Sequence, residues 1–193
     1  MMKINKNYTI AYRRKRNKKT NYRTRLKLLI SRKPRLVIRK TLKRLSAQII
    51  EYGATGDRVI ASASTTELKE LGWHGAMSNT PSSYLLGMLI AKKALNKNIN
   101  DCITDIGLHP STKGSRIYGV IKGAIDTGLN IPCSKEVFPN EERIKGQHII
   151  DYFTKIKDPE RHKRQFSAHM KNNFQIGDLS KEFDKVKARI LGK

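Results

Sequence analysis

The spacing of hydrophobic and polar residues changes period along the chain, and each change predicts an element. Up to about residue 33 no period is sustained. Tyr8, Ile10 and Tyr12 alternate, a basic run follows, and Leu26, Leu29 and Ile30 sit at helical spacing in the patch Arg23–Ile30, which Pro34 ends. From Arg35 the period is two. Arg35–Thr41 reads as a strand. Leu45–Glu51 reads as a second, with Leu45, Ala47 and Ile49 on one side and Ser46, Gln48 and Ile50 on the other. Arg58–Ser64 is a third, beyond the turn Tyr52–Asp57, and the short links predict an antiparallel meander.

Helical spacing follows. Thr66–Gly72 is a short helical turn ending at glycine. Asn79 caps the main helix, with Pro81 in its first turn; the helix runs to about Asn96 and turns Leu85, Met88, Leu89 and Leu95 to the core. Ile99–Asp105 suits a fourth strand. A strand, crossover helix and strand in series predict parallel pairing of strands three and four, with a right-handed crossover. The loop Gly107–Ser115 leads into a second long helix, Arg116–Leu129, with the stripe Ile117, Val120, Ile121, Ala124 and Ile125. Further helical turns start at Asn140–Arg143 and at Gly146–Lys157. The tail from Asp158 is polar apart from Leu179, Phe183, Val186 and Ile190, the stripe of a terminal helix that docks on something.

The expected fold class is α/β: a mixed antiparallel/parallel sheet of about four strands with two main packing helices, a basic extended N-terminal arm and a helical C-terminal extension. The expected divisions are an arm over residues 1–33, an α/β core domain over 34–157 and the C-terminal extension over 158–193.

Charge changes the picture most at the front. Eighteen Lys and Arg precede the first acidic residue, Glu51, out of a formal net charge of +24. The rest of the chain is close to balanced. Such a run repels itself and does not condense into a compact body alone; it needs a dense polyanion, and a nucleic-acid backbone is the commonest one. Tyr8, Tyr12 and Tyr22 lie among the charges, so phosphate contacts come with stacking platforms, the pairing an RNA binder uses. The longest apolar stretch, around Tyr84–Ala91, is too short to span a bilayer, and no apolar h-region near Met1 suggests a secretory signal. Cys102 and Cys133 form no CxxC pair and read as buried thiols in a reducing compartment.

Candidate chemistry is sparse. Gly107–Ser115 does not meet the G-x4-G-K-[ST] rule, because six residues separate its glycines and Lys113 precedes Gly114. The loop can still touch RNA, with Ser115 as a helix cap and Lys113 and Arg116 flanking a helix N-terminus. Gly119 and Gly123 lie four apart on one helix face and predict close packing of that helix on the sheet, or another close approach to its backbone. Trp73, beside His74 in a Gly-flanked loop, has two readings: a lid on the core edge, or a flat surface beside RNA. The five histidines show neither HExxH nor a zinc spacing, Asp101 and Asp105 mark the ends of a short strand better than a catalytic pair, and there is no GxSxG elbow. No catalytic residue, metal or cofactor is therefore expected.

Three blocks carry a family resemblance: Tyr22–Lys40 (YRTRLKLLISRKPRLVIRK), Asp105–Leu108 (DIGL) and Gly119–Pro132 (GVIKGAIDTGLNIP), joined by Phe138-Pro139 and Arg143–Gly146. Together they resemble the large-subunit ribosomal protein L-eighteen family, archaeal type. The resemblance implies a small mixed α/β domain that binds 5S rRNA and anchors it to large-subunit rRNA in the central protuberance, beside neighbouring ribosomal proteins in a cytoplasmic particle. It places the arm between RNAs, with Tyr8, Tyr12, Arg13, Arg14, Lys15, Arg16, Lys18, Lys19, Tyr22, Arg23, Arg25, Lys27, Arg32 and Lys33 as contacts. It adds the sheet face near Arg35, Arg39, Lys43 and Arg44 and the loop Lys113, Ser115 and Arg116, and leaves Gly119–Gly128 fold-defining. Trp73 and His74 complete the candidate RNA-binding set. The turn Leu42-Lys43-Arg44 is more basic than the family pattern. A DNA- or chromatin-binding protein is the first rival reading, but no helix-turn-helix or zinc finger supports it; an RNA-modifying enzyme is the second, but no cofactor loop or paired carboxylates support it.

Overall fold

A computed structural model describes residues 9–156, 158–167, 169 and 174–192. Two short helices open them, α1 (Arg13–Arg16) and α2 (Tyr22–Ile30). Three strands follow, β1 (Arg35–Lys40), β2 (Leu45–Glu51) and β3 (Arg58–Ser64), paired as the antiparallel meander their period-two patterns predict. After a 3-10 turn at Thr65–Lys69 come α3 (Thr80–Leu95), β4 (Ile103–Asp105) and α4 (Arg116–Asp126). The chain closes with α5 (Glu141–Lys145), α6 (Gln147–Lys155), α7 (Pro159–Gln165) and α8 (Leu179–Leu191). Among the described residues no helix is long and apolar enough to cross a membrane.

The fold is mixed α/β as the pattern predicts, but the fourth strand lies elsewhere. The sheet order is β3-β2-β1-β4, so β4 pairs parallel with β1, through Arg35↔Ile103 to Val37↔Asp105, and not with β3. Strand direction alone could not choose: β1 and β3 are both antiparallel to β2, so either edge accepts the same β4. In the structure the β3 edge is met by side chains instead of a strand. Lys93 Nζ donates to the Ser62 carbonyl at 2.9 Å and Lys97 Nζ to the Ile60 carbonyl, so the outward carbonyls of β3 are capped by side chains from α3 and just beyond it. The strand is also shorter than expected. Only Ile103–Asp105 form the ladder, and Asp101 makes an isolated bridge to Asn130.

α3 starts at its expected cap. The Asn79 side chain accepts from Ser82 N at 2.9 Å, while Asn79 N donates to Ser82 Oγ at 3.2 Å. Its expected single core face is in fact nearly the whole circumference. Leu86, Ile90, Ala91 and Ala94 join Leu36, Ile38, Leu45, Ala47 and Ile49 of the sheet in the main core. Tyr84, Leu85 and Met88 join a second cluster with Leu68, Trp73 and the α8 residues Leu179, Phe183, Val186 and Ile190. Leu89 packs against both, and Leu95 is only half-buried. The terminal stripe thus docks on the chain's own α3.

The two α4 glycines serve helix–helix packing, where the pattern pointed to the sheet. A Cβ on Gly123 would overlap the Tyr84 carbonyl oxygen of α3, one on Gly119 would overlap Ser83 Oγ, and one on Gly87 of α3 would overlap the Val120 carbonyl oxygen of α4. The helices cross at backbone contact, which only residues without Cβ permit.

Candidate nucleic-acid interface

One face of the sheet carries the core; the other is open to the arm. β1 and β2 turn Arg35, Val37, Arg39, Gln48 and Ile50 outward by strict alternation. α2 lies over this face: these five residues line a cavity of about 280 Å³ together with Arg14, Lys19, Arg25 and Leu28 of the arm. Val37 is buried although it faces away from the main core, because α2 covers it.

What holds the arm there is a ladder of alternating charges. Arg25 on α2 donates to both Asp57 carboxylate oxygens at 2.9 Å. Arg35 donates to Asp57 Oδ2 at 2.9 Å and to Asp105 Oδ2 at 3.1 Å. Arg39 closes the row on Asp105, through Oδ1 at 3.4 Å and the backbone carbonyl at 3.0 Å. The body thus lends the arm two carboxylates that the arm lacks. Burial works against ionised Asp57, but the hydrogen bonds and charges of Arg25 and Arg35 outweigh it and hold the carboxyl below its ordinary 3.8. Arg35 is only 2% exposed, so its charge rests on this pairing, and its Nε has no partner.

Arg35 was expected to face RNA, and the structure corrects that: its guanidinium is a buried strut between Asp57 and Asp105. Neither aspartate was singled out for this role. No local signal marks them: Asp57 and Asp105 are the second and sixth carboxylates after the basic run, and the fold brings them to Arg35.

Most of the other described arm cations pair with no carboxylate. Among the described residues, Lys33 stands 3.9 Å from Asp101, and Arg25 has Asp57. Arg13, Arg14, Lys15, Arg16, Lys18, Lys19, Arg23, Lys27 and Arg32 make no ion pair. Tyr12 and Tyr22 pack on each other with ring centroids 5.0 Å apart, and Tyr12 keeps most of its surface exposed. Tyr8 lies outside the described residues.

The other candidates divide. Lys43 and Arg44 are exposed on the β1–β2 turn. His74 is exposed, and its Nδ1 is 3.2 Å from Glu182 of α8. Trp73 resolves to its packing reading: it is 1% exposed in the second cluster, its Nε1 donates to the Ala76 carbonyl at 3.3 Å, and it offers no face to a base. Lys113 is exposed, 3.8 Å from Glu136. Ser115 holds the N-cap position of α4, but its hydroxyl makes no capping bond, contrary to expectation. Arg116 is half-buried and donates to the Ser78 carbonyl at 2.7 Å, bracing the loop before α3. Cys102 and Cys133 are free; burial, then the charge of Asp101, pushes the Cys102 thiol up to about 11, which keeps it unreactive.

A cationic arm laid over one face of a four-stranded sheet, with helices packed on the other, marks the chain as a strongly basic mixed α/β protein. The family model described as ribosomal large subunit proteins 60S L5 and 50S L18 matches residues 6–101 and 97–134, which take in the arm, the sheet, α3 and α4. The chain belongs to that family, and is an rRNA-binding protein of the large ribosomal subunit. The three sequence blocks that carry the resemblance all fall inside the matched ranges. Residues beyond 134, including α5–α8, lie outside them.

Proposed function

We propose that this protein binds 5S rRNA and attaches it to the large-subunit rRNA in the central protuberance, as a structural component without turnover. The observation that carries the reading is the set of nine described arm cations without carboxylates, six of them on α1 and α2, beside the Arg25–Asp57 tie of α2 to the body. A folded chain tolerates such unpaired charge where phosphates supply the missing partners. In this reading residues 1–33 thread between RNA segments, 34–157 form the folded platform and 158–193 the extension, beside neighbouring ribosomal proteins. Arg39, Lys43, Arg44, His74 and Lys113 extend the contact beyond the arm.

The two ends of the contact differ in kind. Arm cations neutralise phosphates and release counterions, which gives affinity without sequence preference. Tyr12 and Tyr22 add stacking on unpaired bases, which is how RNA loops are told from duplex. The test is recovery of RNA bound to the tagged full chain in cell extract at moderate salt. Enrichment of 5S rRNA over transfer RNA and over large-subunit rRNA fragments is expected. Equal recovery of all RNAs, or equal affinity for random duplex DNA, would overturn the assignment.

A further inference from the structure

The β1–β2 hairpin ends in an apolar tip set among cations. Leu42 is 96% exposed, while Lys43 and Arg44 follow it. The turn presenting it is tied down. Thr41 N donates to the Arg44 carbonyl at 2.9 Å, Arg44 N donates to Thr41 Oγ1 at 3.1 Å, and Ser78 Oγ donates to the Thr41 carbonyl at 3.3 Å. A cavity of about 710 Å³ opens beside this tip and the Trp73–Ser78 loop, and its lining includes the apolar Leu42 and Met77 and the cationic Lys43 and Lys69. Among the described residues its lining holds no carboxylate and shares no member with the cavity under the arm.

We propose that this groove makes the contact beyond the arm a base-binding one, in which Leu42 wedges against an rRNA base while Lys43 and Lys69 hold the phosphates of the same strand. The inference rests on the reading of the chain as an RNA binder and deepens it. One exposed leucine alone is ordinary on a protein surface. What singles this one out is a braced turn, an adjoining groove and cations without counter-charge. A base supplies an apolar face and a phosphate supplies the anion within one nucleotide, which suits a groove whose lining combines apolar and cationic side chains. A protein segment would have to bring both a hydrophobic side chain and carboxylates.

The test compares the full chain with Leu42→Ser and with the double variant Lys43→Gln, Lys69→Gln, in filter binding to 5S rRNA and to large-subunit rRNA transcripts. Leu42→Ser should weaken binding to one of these RNAs about tenfold with an unchanged salt slope, because the lost contact is uncharged. The double variant should lower the salt slope by about two. Melting temperatures should stay equal, since all three side chains lie on the surface. Unchanged affinity and slope for both RNAs, while deletion of residues 1–33 still weakens binding, would overturn the groove and leave the proposed function standing. A native chain that retains neither RNA would remove both. A photo-crosslinker at position 42 in assembled large subunits should label rRNA; a label on a ribosomal protein would also overturn the proposal.

Discussion

The two ends of this chain fasten to the same α/β body by opposite means. At the C-terminus, α8 buries Leu179, Phe183, Val186 and Ile190 against α3 and Trp73. At the N-terminus, α2 has no fully buried residue and is fixed by Arg25 on Asp57 above the buried strut of Arg35. The first attachment is mainly apolar, a kind of contact that salt does not weaken. The second is electrostatic and leaves most of its cations unpaired, so phosphates can compete for it. A protein that must hold its own shape and also wrap RNA separates these tasks between its ends.

The sharpest break of the comparison comes at the apolar end. Phe183→Ala should cost about 3–5 kcal/mol through the cavity it leaves, read as a large fall in melting temperature. A surface-like loss below about 1 kcal/mol would mean α8 is not docked. Next is Asp105→Asn, which takes one charged partner from buried Arg35 and should cost about 3 kcal/mol in denaturant unfolding. Full stability in that variant would mean the strut is not needed.

Salt separates the ends more finely. Arg25→Gln should loosen α2 by about 1 kcal/mol, and 1 M salt should act in the same direction. Hydrogen exchange should then speed up across Tyr22–Ile30 and stay slow across Leu179–Leu191. Acid should do the same at α2. Because the folded pKa of Asp57 is depressed, its contribution is complete above 3.8 and is lost as pH falls through the lower folded value. Asp57→Asn should abolish that pH response of the α2 amides. The smallest effect belongs to Lys33→Ala: its exposed pair with Asp101, at 3.9 Å, should contribute no more than about 0.5 kcal/mol.

Much of this was legible in the sequence, and the exceptions have a common cause. β1, β2 and β3 follow from period-two alternation, because each has one dry face and one face turned elsewhere. The stripe of α8 and the Asn79 cap of α3 are local signals and read correctly. β4 was placed on the wrong edge because β1 and β3 run in the same direction, so local pattern and strand direction do not choose between the two edges. α3 hid its second buried face because two clusters flank it and its apolar residues run nearly all round. Gly119 and Gly123 announced a close approach without naming the partner, which proved to be a helix. At the interface, the arm was visible as charge, but Arg35 could not be told from its neighbours without Asp57 and Asp105 beside it. Trp73 needed the α8 stripe to show which of its two readings holds.

The central claim is that the arm carries the electrostatic part of RNA binding. The most direct measurement is the affinity of the full chain and of a chain lacking residues 1–33 for 5S rRNA across a salt series. The full chain should show a steep slope, each neutralised phosphate adding about 0.7–0.9, and the deletion should remove most of it. A slope that survives the deletion unchanged would contradict the claim.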